Sequence, residues 1–178
     1  MKLLNTIRAD PSDTFVFEKA ANPGEWAISG AFMFAHLDPT VLTGKTRAAF
    51  RAGFLGIDSF GWSTLARIVA ASEADRAAAI EQLAARLVER FGAPDLATAR
   101  QAAEEEIGFA ASLCEHPVGM LIAVSRRHEN DVTREAFRTL QTNGRPKPAP
   151  AFTFLLADEE ESPATPSVPP MPANGERR

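Results

Sequence analysis

The stretch that decides the fold runs Asp95-Leu96-Ala97-Thr98-Ala99-Arg100, continues through Glu104-Glu105-Glu106-Ile107-Gly108-Phe109 to Cys114-Glu115-His116-Pro117-Val118-Gly119, and closes with Met120-Leu121-Ile122-Ala123-Val124 and a polar segment to Leu140. Leu96, Ala99, Ala103, Ile107, Ala110 and Cys114 recur at three- and four-residue steps, which predicts a helix over 95–115. Pro117 and Gly119 stop it. Met120 to Val124 is apolar throughout and reads as a strand covered on both faces. Ser125 to Asp131 reads as a polar turn with Asp131 as an N-cap, leading into a short helix over Val132–Leu140 with Phe137 and Leu140 inward.

A second helix precedes this one. Ser72-Glu73-Ala74-Asp75 resembles a capping box, and Ile80, Leu83, Leu87 and Phe91 form one stripe backed by Ala84 and Val88. Gly92 ends it and Pro94 restarts the chain, so the two helices are expected to form a hairpin.

Upstream, Lys2 to Arg8 reads as a strand. Thr14 to Glu18 and Glu25 to His36 read as two more, with Phe15 and Phe17 on one face, Trp26, Ile28, Phe32 and Phe34 on another, and a bulge at Gly30. The Asn22-Pro23-Gly24 turn between them predicts an antiparallel hairpin. A short helix is expected from Thr43 or Gly44 to Leu55, and a strand over Trp62–Ala71. The fold class is therefore α+β: a mainly antiparallel sheet with the two-helix hairpin on one face.

The chain has 178 residues, 45% hydrophobic and 24% charged, an ordinary globular composition. Residues 1–144 read as a single α+β domain. Eight of the thirteen prolines lie from Pro146 onward. Residues 145–157 hold the apolar island Ala151–Leu156, expected to dock partly as a strand. Residues 158–178 are acidic and Pro-rich, and disorder is expected there. The net charge of −4 gives no field favouring nucleic acid. No apolar run approaches the ~20 residues of a membrane helix. One cysteine and a short, charge-interrupted N-terminus predict a cytoplasmic protein.

Candidate site residues cluster in the opening stretch. Cys114 and His116, with His36 and Asp38 as a distant second half, make a weak metal set, since their spacing matches no zinc motif. A Cys114–His116 nucleophile pair is disfavoured, because a helix C-terminus raises a thiol pKa. Arg127 and His128, between a strand and an expected helix, are weak candidates for holding a phosphate or carboxylate. Glu104, Glu105 and Glu106 diverge by ~100° per residue and read as a solvated face, with Arg100 beside Glu104. Lys45, Arg47 and Arg51 form a small solvated basic patch. No catalytic residue and no cofactor are assigned.

The segments Asp13–Glu18, Gly24–Ala27, Ser29–Phe32, Glu105–Cys114 and His116–Gly119 resemble a small uncharacterised bacterial family. Its members sit beside accessory genes for molybdenum- or formate-dehydrogenase-type enzymes, and the resemblance implies an assembly or accessory role without transferring any site residue. The expected function is a non-enzymatic interaction protein, either a homodimer through its N-terminal aromatics or bound to one protein partner. The alternatives are a small-ligand binder or enzyme using the Cys114, His116 and His128 neighbourhood, and a metal-binding protein.

Overall fold

The computed structural model describes residues 1–141; the expectations for the 145–157 island and the 158–178 tail lie outside them. Within that range the chain is α+β, as its patterning predicts. The elements are β1 (Lys2–Thr6), α1 (Ser12–Val16), β2 (Ala27–Ile28), α2 (Gly44–Ala52), β3 (Phe54–Gly56), β4 (Trp62–Ser63), β5 (Leu65–Ala70), α3 (Glu73–Phe91), α4 (Leu96–Ser112), β6 (Leu121–Glu129) and β7 (Val132–Leu140).

One antiparallel sheet has the order β1-β5-β6-β7 and a smaller one the order β2-β3-β4. In the larger sheet the register puts Leu4, Ile68, Ile122, Val124, Arg126 and Phe137 on one face. This is the core face, where Leu4, Ile68, Ile122, Val124 and Arg126 are all buried. The backbone of Thr6 exchanges bonds with Glu25 and Gly24, and an isolated bridge joins Asn5 to Trp26, which ties the two sheets together along β1.

The helical hairpin forms as its sequence signals require. Ser72 and Asp75 complete the capping box at the start of α3, and Gly92 closes it in the left-handed conformation at φ 64°, where a side chain would be strained. Asp95 caps α4 through the Thr98 amide at 2.7 Å. Ile80, Leu83, Ala84 and Leu87 of α3 and Ala99, Ala103, Ile107 and Ala110 of α4 are buried. Arg100 forks onto Glu81 of α3 at 2.6 and 2.8 Å, so its hydrogen-bond partner is across the hairpin, while Glu104 adds a weaker charge attraction. Phe91 is half-exposed, yet its ring meets Phe32 at 5.5 Å and Phe60 at 6.1 Å. Val88 is exposed.

Three expected elements are corrected. The N-terminal hairpin does not form. Thr14 to Val16 lies in the short helix α1, which leaves Phe15 exposed, and Phe17 follows in extended backbone, fully buried. The expected long strand over 25–36 is cut to Ala27–Ile28, because Gly30 turns the chain at φ 74° into a 3-10 turn, Ala31–Phe34. A Cβ at Gly30 would sit 2.6 Å from Leu55 Cβ, so that turn packs against β3. Phe34 then stacks on Trp62 at 5.2 Å and meets Phe50 edge-on at 5.3 Å.

The third correction is the largest. Val132–Leu140 is not a helix but β7, paired over its whole length with β6, which itself runs on to Glu129. Asn130 and Asp131 both have positive φ, 51° and 60°. That is the two-residue turn whose twist matches a hairpin, and Asn and Asp tolerate it better than other side chains. Val132, Thr133, Phe137 and Thr139 favour a strand. The expected single strand over Trp62–Ala71 is split at Thr64 into β4 and β5, which belong to different sheets.

Candidate functional site

The most concentrated polar chemistry among the described residues lies where β6 and β7 meet the end of α2. Alternation along β6 buries Ile122, Val124 and then Arg126, whose side chain is 0% exposed. Every N–H of its guanidinium has an acceptor. Nε donates to Glu135 Oε1 on β7 at 2.6 Å. Nη1 donates to the carbonyls of Gly53 at 2.8 Å and Phe50 at 3.0 Å, at the C-terminal end of α2. Nη2 donates to the Ser29 carbonyl and, at 3.1 Å, to Ser29 Oγ. Ser29 Oγ in turn donates to Glu135 Oε1 at 2.6 Å.

The placement has physical causes. A helix C-terminus presents unsatisfied carbonyls and partial negative charge, which a cation stabilises. The β6–β7 register sets Glu135 directly opposite Arg126. With five donors engaged, no N–H of Arg126 is left to bind a substrate. Chemically this arginine ties α2, the end of β2 and the β6–β7 hairpin together.

Glu106 of α4 adds a second carboxylate. It is half-buried, unlike Glu104 and Glu105, so the expected solvated face holds for two of the three. Burial, then the charge of Glu135, push its pKa up to about 7 against the opposing pull of Arg126. Burial also pushes the Arg126 pKa below its ordinary value, while Glu135 and Glu106 pull it back up. The cluster therefore holds one guanidinium and two carboxylates, one of which titrates near neutrality.

The residues singled out from sequence do not converge. Cys114 is buried, with Sγ 3.4 Å from the Ala110 carbonyl, and burial pushes its thiol up to about 11. Such a thiol carries almost no thiolate at neutral pH. His116 is exposed just beyond α4, and its carbonyl accepts from Lys2 Nζ at 2.7 Å. His128 lies near the far end of β6, with Nδ1 3.2 Å from Thr133 Oγ1; the Asp38 carboxyl is held below its ordinary pKa by hydrogen bonds from Thr40, with a smaller contribution from the charge of His128. Arg127 is exposed on the opposite side of β6 from Arg126. The strand between Leu121 and His128 spans roughly 23 Å at ~3.3 Å per residue, so Cys114 and His116 do not share a site with His128. Among the described residues no group of three His, Cys, Asp or Glu side chains is placed to hold a metal ion, and His36 does not join Cys114 and His116 in one.

Arg126 and Glu135 escape sequence reasoning because the polar run 125–131 reads as a surface turn. The signal was present. Ile122, Val124 and Arg126 continue one alternation, and Asn130-Asp131 is a hairpin turn pair that sets Glu135 opposite. Two other carboxylates are absorbed structurally. Glu25 accepts from the amides of Asp58 and Ser59, both at 2.7 Å, and Asp13 accepts from Thr64 Oγ1 at 2.5 Å. Burial raises the Asp13 pKa against those bonds.

No helix among the described residues is long and apolar enough to cross a membrane. No curated protein and no solved structure is matched by the chain. A model described as a family of unknown function, DUF6505, matches residues 1–147, so the chain belongs to that family.

Proposed function

We propose that this protein is a non-enzymatic interaction or accessory protein, and that it engages a partner polypeptide along the outer edge of β7. One observation carries this reading. β7 is a nine-residue strand at the end of its sheet, and β6 is its one strand partner among the described residues. In a hairpin closed by a two-residue turn, the residues flanking the turn form a hydrogen-bonded pair, and bonding alternates from there. Val132, Arg134, Ala136 and Arg138 therefore bond inward to β6. Thr133, Glu135, Phe137 and Thr139 aim their N–H and C=O groups outward. A long edge of this kind is a template for an added strand.

Two further features support a binding role. The fully engaged Arg126 and the high-pKa Cys114 thiol are both suited to holding a scaffold, and neither is an activated group. The family resemblance favours an enzyme of molybdenum- or formate-dehydrogenase type as the partner. A homodimer through the N-terminal aromatics is the competing occupant, but few of those rings are exposed. Phe17 and Phe34 are buried and Phe32 packs against the core, which leaves Phe15 as the exposed ring among the N-terminal aromatics.

The test is Thr139→Pro in the tagged full chain, purified from its own host. This substitution removes an outward N–H and leaves the β6 ladder intact, so the melting temperature is expected to change little. A stoichiometric partner is expected with the natural chain and lost with the variant. A partner retained in full by the variant excludes the β7 edge as the docking site.

A further inference from the structure

The outward side of the larger sheet carries a charge pattern that the core face does not. Alternation puts Arg67 on β5, Arg127 on β6, and Arg134 and Arg138 on β7 on this side. They stand among Leu65, Val69, Leu121, Ala123 and Ala136. All four arginines are exposed. The acid on this side of β6 and β7 is Glu129, at the hairpin tip. Arg67, Arg134 and Arg138 make no ion pair among the described residues. A chain of net charge −4 thus keeps a local positive row beside a sheet edge that no other described strand pairs with.

We propose that β7 accepts an extended acidic polypeptide segment as an added strand, with carboxylates of that segment opposite Arg134 and Arg138. This rests on the reading of β7 as a docking edge and names the chemistry of its occupant. Opposite residues of an antiparallel pair point to the same side, where unlike charges attract and like charges repel. Arg134 and Arg138 are separated by four residues, or ~13 Å of strand, with exposed Ala136 between them. The matching segment is therefore acidic at two positions four apart, with a small or apolar residue midway.

The same pattern argues against two other occupants. Two copies of β7 paired antiparallel over all nine residues would set Arg134 of each opposite Arg138 of the other. A single-stranded nucleic acid would need aromatic platforms for its bases, and the residues on this side of β5, β6 and β7 include no aromatic ring. Arginines at an edge also serve to keep copies apart; that role requires no affinity for an acidic strand, and the experiment separates the two.

The probe is a fluorescein-labelled peptide, Thr-Val-Thr-Glu-Thr-Val-Thr-Glu-Thr, titrated with the full chain and followed by anisotropy. Saturable binding is expected. It should weaken by about tenfold in the double variant Arg134→Gln, Arg138→Gln, since two exposed charge pairs are lost. It should also weaken in Thr139→Pro. Both variants alter exposed side chains, and unchanged melting temperatures verify their folds.

Three outcomes overturn the proposal: equal binding of the peptide with Lys in place of Glu, equal binding of a peptide N-methylated on its pairing amides, or displacement by oligothymidylate at matched charge. If the peptide fails to bind while Thr139→Pro still abolishes partner capture, the acidic class is wrong and the docking edge stands. If the peptide fails and capture is unaffected by Thr139→Pro, both readings fall.

Discussion

Arg126 has no spare donor, and that fixes what its loss does. Arg126→Leu would leave Glu135 without its cation and the carbonyls of Ser29, Phe50 and Gly53 without partners. Breaking one side of a buried ion pair strands the other charge, so a loss of about 3–5 kcal/mol is expected in urea unfolding. A loss below about 1 kcal/mol would mean the cluster is solvated and the tie is not made. At this scale the sequence was legible where burial and helix position govern: Cys114, which continues the apolar stripe of α4, reads as a buried thiol and is buried. It was not legible where a charged residue occupies a core position, because Arg126 has the composition of a surface turn and only its register buries it.

The helical hairpin is the best-specified element, since stripe, caps and connection agree. Leu83 is fully buried within it, and Leu83→Ala is expected to cost about 2–5 kcal/mol. Phe91 is 42% exposed, so Phe91→Ala should cost clearly less than Leu83→Ala, in spite of its larger side chain. Thermal melts of the two variants check the order, and the reverse order would show that the ring contacts of Phe91 with Phe32 and Phe60 anchor the hairpin end. Elements outside the hairpin were less legible for identifiable reasons. Phe15-x-Phe17 and Phe32-x-Phe34 have strand spacing, but Pro11 opens a short helix under the first and Gly30 bends the chain under the second. At Asp131 the same residue type suits an N-cap and a hairpin turn. The β-branched content of 132–140 was the signal that should have decided between them.

For the molecule as a whole, Glu106 predicts a pH dependence of stability. Its folded pKa is about 7 against an ordinary 4.5. Between those values the folded chain holds a proton that the unfolded chain releases. Stability therefore falls as pH rises from about 4.5 to 7, and the penalty is complete above 7. Glu106→Gln removes the charge, so the variant should gain roughly 3 kcal/mol over the natural chain at pH 8 and about nothing at pH 4. Denaturation curves at both values check it; an equal gain at both would trace the effect to packing. The class and the helical layer of the fold follow from periodicity, whereas the sheet order β1-β5-β6-β7 does not, because pairing between distant strands leaves no local pattern.

That order also has a consequence in time. β1 is synthesised well before its ladder partner β5, so Lys2 pairs with Ala70 across a long intervening stretch of chain. The β6–β7 hairpin and the α3–α4 pair close over short loops and are suited to form on the microsecond scale. β1 must instead wait on a long loop closure. A nascent chain therefore leaves the apolar pair Leu3 and Leu4 uncovered until β5 has emerged, and that interval is when it is most exposed to aggregation and most in need of a chaperone.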